Sequence, residues 1–407
     1  MSWKQVQCTL EKYPGTPGGH LYLADSTTAN LTAYRGQVQC VYMDPPYLTG
    51  EKFVYRCRIG REGWETGKPR IELPTFNDNF DKDEYLAMLR GALMQAKMLL
   101  KETGSLFVHL DSRMSHYARI LCDEIFGERN FQNEIIWAYQ TGGRAEKHFS
   151  RKHDVILFYR MSRASYFDIS AVPLSRSEHR QNHMRRCVDE SGRSYRTIRS
   201  NGKEYVYYDD DPVFPGDVWD DVSHLQQKDP QRTGYDTQKP IALLDRIIRC
   251  TTRPGDLVAD LFCGSGTALE AAALLDRKYL GVDLCPHAAA VGAKRLMEHG
   301  LQLHLSSGVE GACLQAEAAP GIGLVDIFIR GYSAPGLPAV ASGTDGIDRV
   351  SAGFLENGKF VSYASYARKK QEPELPESLQ VPQLRGDMAL LVGDVLGRTT
   401  CWVWQDD

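Results

Sequence analysis

The sequence lacks the features that mark several common classes of protein. Its 407 residues contain no apolar run long enough to span a bilayer, and residues 1–15 lack the charged, apolar and small-residue regions of a signal peptide. The ten cysteines are scattered singly, with no CxxC pair and no Cys/His cluster at zinc spacing. We therefore expect a cytoplasmic protein with reduced thiols and no structural metal.

Net charge is also small, at -4, but it is unevenly distributed. Residues 144–203, here called the basic segment, hold fourteen Lys/Arg and six Asp/Glu, so this segment carries +8 and the remainder of the chain -12. A basic segment in an acidic chain favours a polyanionic partner, although a solvated charged surface would have the same composition.

Apolar periodicity indicates an α/β protein. Up to residue 160 and again from residue 237, apolar runs typical of strands alternate with helical patterns. Two of the predicted helices are residues 83–102, with Gly104 as the stop signal, and residues 115–127, with Gly127 as the stop signal. Between residues 161 and 236 the periodicity fades, which predicts an irregular insertion. Past residue 300, short alternating runs predict a small β-rich appendage.

The stretch YMDPPY ends an apolar run with an aspartate and two prolines. Residues 37–43 have the composition of a buried strand, and proline cannot continue a sheet ladder because it has no N–H. Pro45 and Pro46 also fix φ, so the carboxylate of Asp44, the carbonyl of Pro45 and the ring of Tyr47 should project from a stiff turn. In open α/β sheets ligands bind at such strand ends, although an ordinary turn would have the same sequence.

A second apolar run, residues 257–262, leads into a glycine turn and then a helix. Gly264 and Gly266 permit close approach of a ligand, but Leu269 stands where a dinucleotide site would need a third glycine. Asp283, nineteen residues after Gly264, ends the next strand and is placed to accept a ribose diol. A site that binds ribose but no pyrophosphate suits S-adenosylmethionine as the ligand. Alternatively, these residues are an ordinary glycine turn and a surface aspartate of some other α/β protein.

Taken together, DPPY (44–47), TQKP (237–240) and FCGSGT (262–267) closely resemble the amino-methyltransferases of DNA whose catalytic motif precedes the cofactor motif. The resemblance extends over residues 20–160 and 215–298. It implies a doubly wound, mostly parallel Rossmann-like sheet in permuted strand order, with an inserted target-recognition region and a small C-terminal appendage.

The same resemblance implies four segments. Residues 1–160 would form the catalytic half, 161–236 the target-recognition region, 237–300 the cofactor-binding half and 301–407 an accessory region of unknown role. One departure from the family pattern is Leu48, which stands where asparagine is common after DPPY.

The resemblance also implies a set of site residues and no metal. The catalytic residues would be Asp44, Pro45, Pro46 and Tyr47. The residues expected to bind S-adenosylmethionine are Asp25, Thr237, Gln238, Lys239, Asp260, Phe262, Cys263, Gly264, Ser265, Gly266, Thr267 and Asp283. The residues expected to contact DNA, all in the basic segment, are Arg176, Arg180, His183, Arg185 and Arg186.

These residues suit methylation of an exocyclic amine. Asp44 and the carbonyl of Pro45 can each accept one amino hydrogen, and Tyr47 offers a surface on which a flipped base stacks. An aspartate rather than a serine at the head of the motif favours adenine N6, while an N4-cytosine enzyme would use the same machinery. A non-catalytic DNA-binding specificity subunit is the alternative of a different class, disfavoured because the motif residues are intact.

The expected partner is double-stranded DNA. A protein or RNA methyltransferase would not need a large basic insert between its catalytic and cofactor halves. The sequence leaves open a restriction or other defence subunit as a second partner, and a homodimer.

Overall fold

A computed structural model describes residues 2–68, 71–78, 81–139, 145–174, 185–226, 229–235, 237–383 and 386–405. The strands within these ranges are β1 (Ser2–Val6), β2 (Leu10–Lys12), β3 (Gly19–Leu23), β4 (Val38–Met43), β5 (Lys52–Cys57), β6 (Ile71–Asn77), β7 (Leu100–Leu110), β8 (Phe131–Ala138), β9 (His153–Arg160), β10 (Arg185–Val188), β11 (Ser194–Ser200), β12 (Lys203–Tyr208), β13 (Val218–Trp219), β14 (Leu257–Asp260), β15 (Lys278–Asp283), β16 (Leu301–His304), β17 (Cys313–Pro320), β18 (Leu324–Ser333), β19 (Ile347–Glu356), β20 (Lys359–Ala367), β21 (Leu379–Pro382), β22 (Asp387–Asp394) and β23 (Thr399–Gln405). The α-helices are α1 (Gly60–Thr66), α2 (Lys82–Leu99), α3 (Ser115–Phe126), α4 (Ile241–Thr251), α5 (Thr267–Leu274) and α6 (Pro286–Leu296).

Fifteen strands form one sheet, in the order β1-β23-β22-β19-β20-β2-β16-β3-β15-β14-β4-β7-β9-β8-β13. Its central run, from β16 to β7, is parallel, which confirms the predicted α/β class and mostly parallel sheet. β4 from the first half of the chain lies beside β14 from the second half, so the direction of winding reverses between them. Ligands bind at the carboxyl ends of strands at such a switch point.

Helices cover both faces of this central run, which explains why β4, inside it, is buried along its whole length. In β4, Cys40 and Tyr42 face a core built with α4, α5 and α6, whereas Val41 and Met43 face a core built with α2 and α3. Within the described ranges, no helix is both long and apolar enough to cross a membrane.

Two helix boundaries test the predicted stop signals. Gly127 has φ +90° and caps α3 as predicted. The prediction for Gly104 is wrong, because α2 ends at Leu99 and Gly104 lies inside β7. An added Cβ would lie 2.8 Å from the Leu100 side chain and 3.0 Å from the Lys101 carbonyl oxygen, so crowding within the strand, rather than the end of a helix, accounts for this glycine.

The segment between residues 161 and 236 is more regular than its sequence predicts. β10, β11 and β12 form an antiparallel sheet of their own, and β13 pairs with β8 at the edge of the large sheet. β12 is exposed at every residue except the last, so it lacks the alternation of apolar and polar residues that reveals a half-buried strand.

Strands β17 to β23, here called the C-terminal module, form a β-rich unit, as predicted. β17, β18 and β21 make a separate sheet, while β19, β20, β22 and β23 extend the large sheet. The first strands of the chain also belong to this part of the sheet, because β1 pairs with β23 and β2 with β20. A buried ion pair between Glu11 and Arg349, 2.8 Å long, links β2 to β19.

Candidate active site

Four neighbouring parallel strands, β3, β15, β14 and β4, each carry an aspartate at or just beyond the carboxyl end. These are Asp25, Asp283, Asp260 and Asp44, and all four line one cavity of about 540 Å³. Aromatic and apolar side chains form much of the remaining wall, among them Phe53, Met88, Tyr235, Phe262 and Leu284. The sheet thereby brings the predicted catalytic and cofactor motifs to a single site.

Asp44 is held by two partners that come from different motifs. One carboxylate oxygen accepts the hydroxyl of Tyr47 at 2.5 Å, and the other accepts Nζ of Lys239, also at 2.5 Å. The side chains of Asp44 and Lys239 are only 15% and 10% exposed, so this ion pair is largely shielded from water. Desolvation and then the charge of Asp44 raise the pKa of Tyr47 well above its usual value, which keeps the phenol protonated as a donor.

A chain of buried polar groups lies behind Asp44 and Tyr47. The Tyr42 hydroxyl lies 2.8 Å from Nδ1 of His109, whose Nε2 lies 3.1 Å from Asp154. Burial acts to raise the pKa of Asp154, but the His109 hydrogen bond and nearby positive charge outweigh burial, so the pKa lies below its usual value. The imidazole of His109 is 6.2 Å from the ring of Tyr47, so this network packs against the turn that carries the catalytic motif.

The loop after β14 depends on glycine at two positions. Gly264 has φ +49°, and an added Cβ would lie 3.3 Å from the ring of Tyr235. Gly266 has φ +77° and precedes α5, with Gly292 of α6 closely packed against it. The loop can therefore approach Tyr235 and α6 only because these residues lack side chains.

Two carboxyl groups organise this loop through backbone hydrogen bonds. Asp260 accepts the N–H of Phe262 at 3.0 Å, while Asp283 accepts the N–H groups of Gly264 at 2.7 Å and Cys285 at 2.8 Å. Desolvation raises the pKa of Asp260 well above its usual value and that of Asp283 to about 6, against the opposing effect of these N–H donors.

The segment from Thr237 to Lys239 runs along the same cavity. Its central residue, Gln238, is buried and uses its amide to hold the preceding loop, accepting Thr233 N–H at 2.9 Å and donating to the Gln231 carbonyl at 2.6 Å. Thr237 and Lys239 line the cavity on either side of it.

All four predicted catalytic residues and eleven of the twelve predicted cofactor residues line this cavity. The exception is Gly266, which lies behind the loop at the start of α5. Asp25 lines the cavity, but its carboxylate also caps the following turn by accepting the N–H and hydroxyl of Thr27 at 2.8 and 2.7 Å. Ser265 and Thr267 share a hydrogen-bonding partner in Arg295.

Most of the residues predicted to contact DNA lie outside the described residues. Arg176, Arg180 and His183 fall outside the described residues, as does the side chain of Arg185. Arg186 is described, in β10, where it is largely exposed and forms an ion pair of 3.2 Å with Asp209.

Sequence reasoning missed several residues of the site. Tyr235 precedes the TQKP motif and gives no signal of its own, yet its ring covers Gly264. His109 and Asp154 stand within runs read as buried strands, and a polar residue in such a run is the one signal that could have identified them.

The wall of the cavity has the chemistry that S-adenosylmethionine requires. Among the described residues of the wall, Lys239 is paired with Asp44, and three further aspartates stand without a cation, so the wall offers carboxyl groups to a cationic sulfonium. Carboxylates at strand ends suit ribose hydroxyls, and Phe53, Tyr235 and Phe262 provide faces for a planar base.

Comparison with known proteins places the chain in a family. The model described as DNA methylase, which covers N6- and N4-methyltransferases, matches residues 38–294, and the chain belongs to this family. It is therefore a DNA methyltransferase that uses S-adenosylmethionine, and the predictions of family and cofactor are confirmed.

Individual relatives are distant. The chain is 25% identical over 326 residues to the type II methyltransferase M.EcaI of Enterobacter cloacae, covering 69% of each chain. It is 26% identical over 261 residues to the DNA adenine methyltransferase YhdJ of Escherichia coli K12, covering 64% of this chain and 76% of the relative. Among solved structures, the cytosine-N4-specific PvuII DNA methyltransferase has a TM-score of 0.46 at 16% identity, covering 70% of this chain and 89% of that one.

Proposed function

We propose that this DNA methyltransferase is site-specific and transfers the methyl group to the exocyclic N6 of an adenine flipped out of duplex DNA. The observation that carries the proposal is the position of Asp44, on a proline-stiffened turn facing the same cavity as the glycine loop. Aspartate rather than serine at the head of the motif supports adenine over cytosine, as does similarity to a relative named as an adenine methyltransferase.

Asp44 and Pro45 would act on the amine directly. The lone pair of the amine is delocalised into the base, so its hydrogens must be held out of plane before nitrogen becomes nucleophilic. The Asp44 carboxylate and the Pro45 carbonyl each accept one hydrogen, and the carboxylate stabilises the positive charge that develops on nitrogen. S-adenosylmethionine, when bound, supplies an electrophilic methyl group and is left as a neutral thioether. The nitrogen that gains the methyl group loses one proton through its hydrogen bond to the Asp44 carboxylate.

Lys239 and Tyr47 set the state of Asp44 before the base arrives. Each occupies one oxygen of the carboxylate, so the incoming amine must share or displace one of these donors. Because a carboxylate oxygen has more than one lone pair, sharing is compatible with both contacts. Lys239 thereby serves the catalytic half of the site as well as the cofactor half to which its motif was assigned.

The cofactor would lie along the loop from Phe262 to Gly264. Asp283 already accepts two backbone N–H groups, which leaves one lone pair on each oxygen for a ribose hydroxyl. Tyr235 closes the loop from the other side.

Duplex DNA would approach through residues 161–236, the proposed target-recognition region. Within it, Tyr205 and Tyr207 are exposed on one face of the β10–β12 sheet, because residues two apart on a strand share a face. Arg196 pairs with Tyr207 across the sheet and lies on the same face. Aromatic and arginine side chains together suit contact with bases and phosphates.

The test is identification of the methylated nucleoside. The purified protein is incubated with labelled S-adenosylmethionine and duplex DNA, which is then digested to nucleosides and analysed by mass spectrometry. We expect N6-methyldeoxyadenosine. Only N4-methyldeoxycytidine would support the cytosine alternative, and an absence of transfer despite DNA binding would support a non-catalytic specificity subunit.

A further inference from the structure

The C-terminal module touches the cofactor side of the cavity through the turn between β22 and β23, residues 394–398. Gly397 in this turn has φ +77°, and an added Cβ would lie 3.1 Å from the carbonyl group of Pro286 and 3.2 Å from Cα of His287. The backbone of the module therefore packs directly on the first turn of α6, the helix that follows Asp283.

A second contact of the same turn is apolar. Val395 is 2% exposed and belongs to a cluster that includes Tyr55, Tyr235 and Cys285. Its carbonyl oxygen accepts the thiol of Cys57 at 3.5 Å. Since Tyr235 and Cys285 both line the cavity, Val395 supports the wall from behind.

The turn and the helix are both held in place. Asp394 is buried and accepts the N–H groups of Leu396 and Arg398, each at 3.0 Å, as well as Nε of Arg398 at 2.8 Å. Further along α6, Lys294 forms an ion pair with Asp348 of β19 at 2.9 Å. The module is thus anchored to α6 at two points along its length.

Hydrogen bonds carry this contact into the cofactor loop. The N–H of Cys285, at the start of α6, donates to Asp283, whose other oxygen accepts the N–H of Gly264. A shift in the first turn of α6 would therefore move the carboxylate and the glycine loop together.

We propose that the turn at residues 394–398 is a positioning element of the cofactor site, which fixes the first turn of α6 and through it Asp283. This inference rests on the proposed role of Asp283 in holding the cofactor. It gives the C-terminal module, which lies outside the family match at residues 38–294, a role in cofactor affinity rather than in methyl transfer itself.

Val395→Ala tests the proposal against a matched control, Val392→Ala. Both valines are buried in or beside β22, but Val392 packs in the internal apolar cluster of the module. Both changes should lower the melting temperature. Only Val395→Ala should weaken S-adenosylmethionine binding in calorimetry, by roughly 3- to 30-fold.

Steady-state kinetics distinguish a loss of cofactor positioning from a general loss of protein stability. Val395→Ala should raise KM for S-adenosylmethionine and leave kcat at saturating cofactor near the wild-type value, whereas Val392→Ala should change neither. Equal cofactor affinities in the two variants would overturn the proposal.

A second pair of variants gives an answer if Val395→Ala fails to fold. Gly397→Ala and Gly358→Ala impose similar backbone strain, at φ +77° and +74°, but nothing lies within 4 Å of a Cβ added at Gly358. We expect weaker cofactor binding for Gly397→Ala alone, and equal binding would again contradict the role of the turn. Failure of the wild-type protein to bind S-adenosylmethionine would instead overturn the proposed function.

Discussion

The two halves of the cavity place the same side chain, an aspartate at a strand end, in opposite settings. On β4, Asp44 is paired with the ammonium of Lys239 and the hydroxyl of Tyr47. On β14 and β15, Asp260 and Asp283 accept backbone N–H groups and, across the described ranges, form no ion pair. Burial raises the pKa of both of these carboxyl groups.

The difference fits the roles proposed for the two halves. A carboxylate that stabilises positive charge on a reacting nitrogen must be ionised when the base arrives, and a neighbouring cation favours that state. A carboxyl group that accepts hydrogen bonds from hydroxyl and amide groups can fulfil its role without a cation. One side chain therefore serves both halves, and its neighbours determine the role.

Removal of the catalytic carboxylate should have the largest effect. We expect Asp44→Ala to lower methyl transfer by at least about a hundredfold, because the group acts mainly in the transition state, while binding of cofactor and DNA survives. The measurement is single-turnover transfer of labelled methyl groups. Asp111→Ala, at the end of the adjacent strand β7 and outside the cavity, is the matched control. Near-normal turnover by Asp44→Ala would refute the mechanism.

Replacing Lys239 should leave the carboxylate of Asp44 without an ion pair in the described part of the chain, as Asp260 and Asp283 are. We expect Lys239→Met to lower methyl transfer by about 10- to 100-fold, as for loss of a hydrogen bond to a charged group. Lys101→Met, which removes a 2.7 Å ion pair with Asp256 outside the cavity, should leave the transfer rate unchanged. Equal rates in the two variants would contradict the role of Lys239.

Tyr47 combines a stacking surface with a hydrogen bond, and two substitutions separate them. Tyr47→Phe keeps the ring and removes the donor to Asp44, so we expect about a tenfold loss that is the same on every substrate. Tyr47→Ala should cost a further 1 to 3 kcal/mol, roughly the value of one stacked base. Part of that further loss should disappear with a mismatched target adenine, which is easier to extrude. Equal losses on paired and mismatched duplexes would exclude the stacking role.

The cofactor half should show its own pH dependence. Burial raises the pKa of Asp283 to about 6, so its ionised fraction grows as pH rises through that value. Because the ionised form accepts the ribose hydroxyls in the proposed site, cofactor affinity should be about tenfold lower at pH 5 than at pH 8. Calorimetry from pH 5 to 8 measures this, and Asp283→Asn should flatten the dependence. A pH-independent affinity in the wild-type protein would contradict the assignment.

The smallest effect concerns the loops. The cofactor loop has glycines at its left-handed positions, whereas the loop after Asp44 places Leu48 at φ +56°. Asparagine tolerates this conformation better than leucine, so Leu48→Asn should raise the free energy of unfolding by up to about 1 kcal/mol, less the packing it loses. Chemical denaturation measures the change. A clear loss of stability would show that packing of Leu48 outweighs the strain.

Local signals made much of this site predictable from sequence. The prolines after Asp44 and the glycines after β14 mark strand ends by their own backbone properties, and the alternation of strands and helices gave the fold class. The pairing of Lys239 with Asp44 could not be predicted, because the residues are 195 positions apart and meet only through the order of strands in the sheet. The sheet of β10 to β12 was missed because β12 is exposed at all but its last residue and β11 at its last three, which leaves no apolar alternation.

The pairing of β1 with β23 also has a consequence for synthesis on the ribosome. Ser2 lies opposite Gln405, so β1 has no partner until β23 emerges. At about 5 to 20 residues per second, that wait is on the order of 20 to 80 seconds. The turn at residues 394–398 emerges about 100 residues after α6, so α6 lacks its support for roughly 5 to 20 seconds. A nascent chain would therefore complete its central sheet well before it acquires the full wall of its cofactor site.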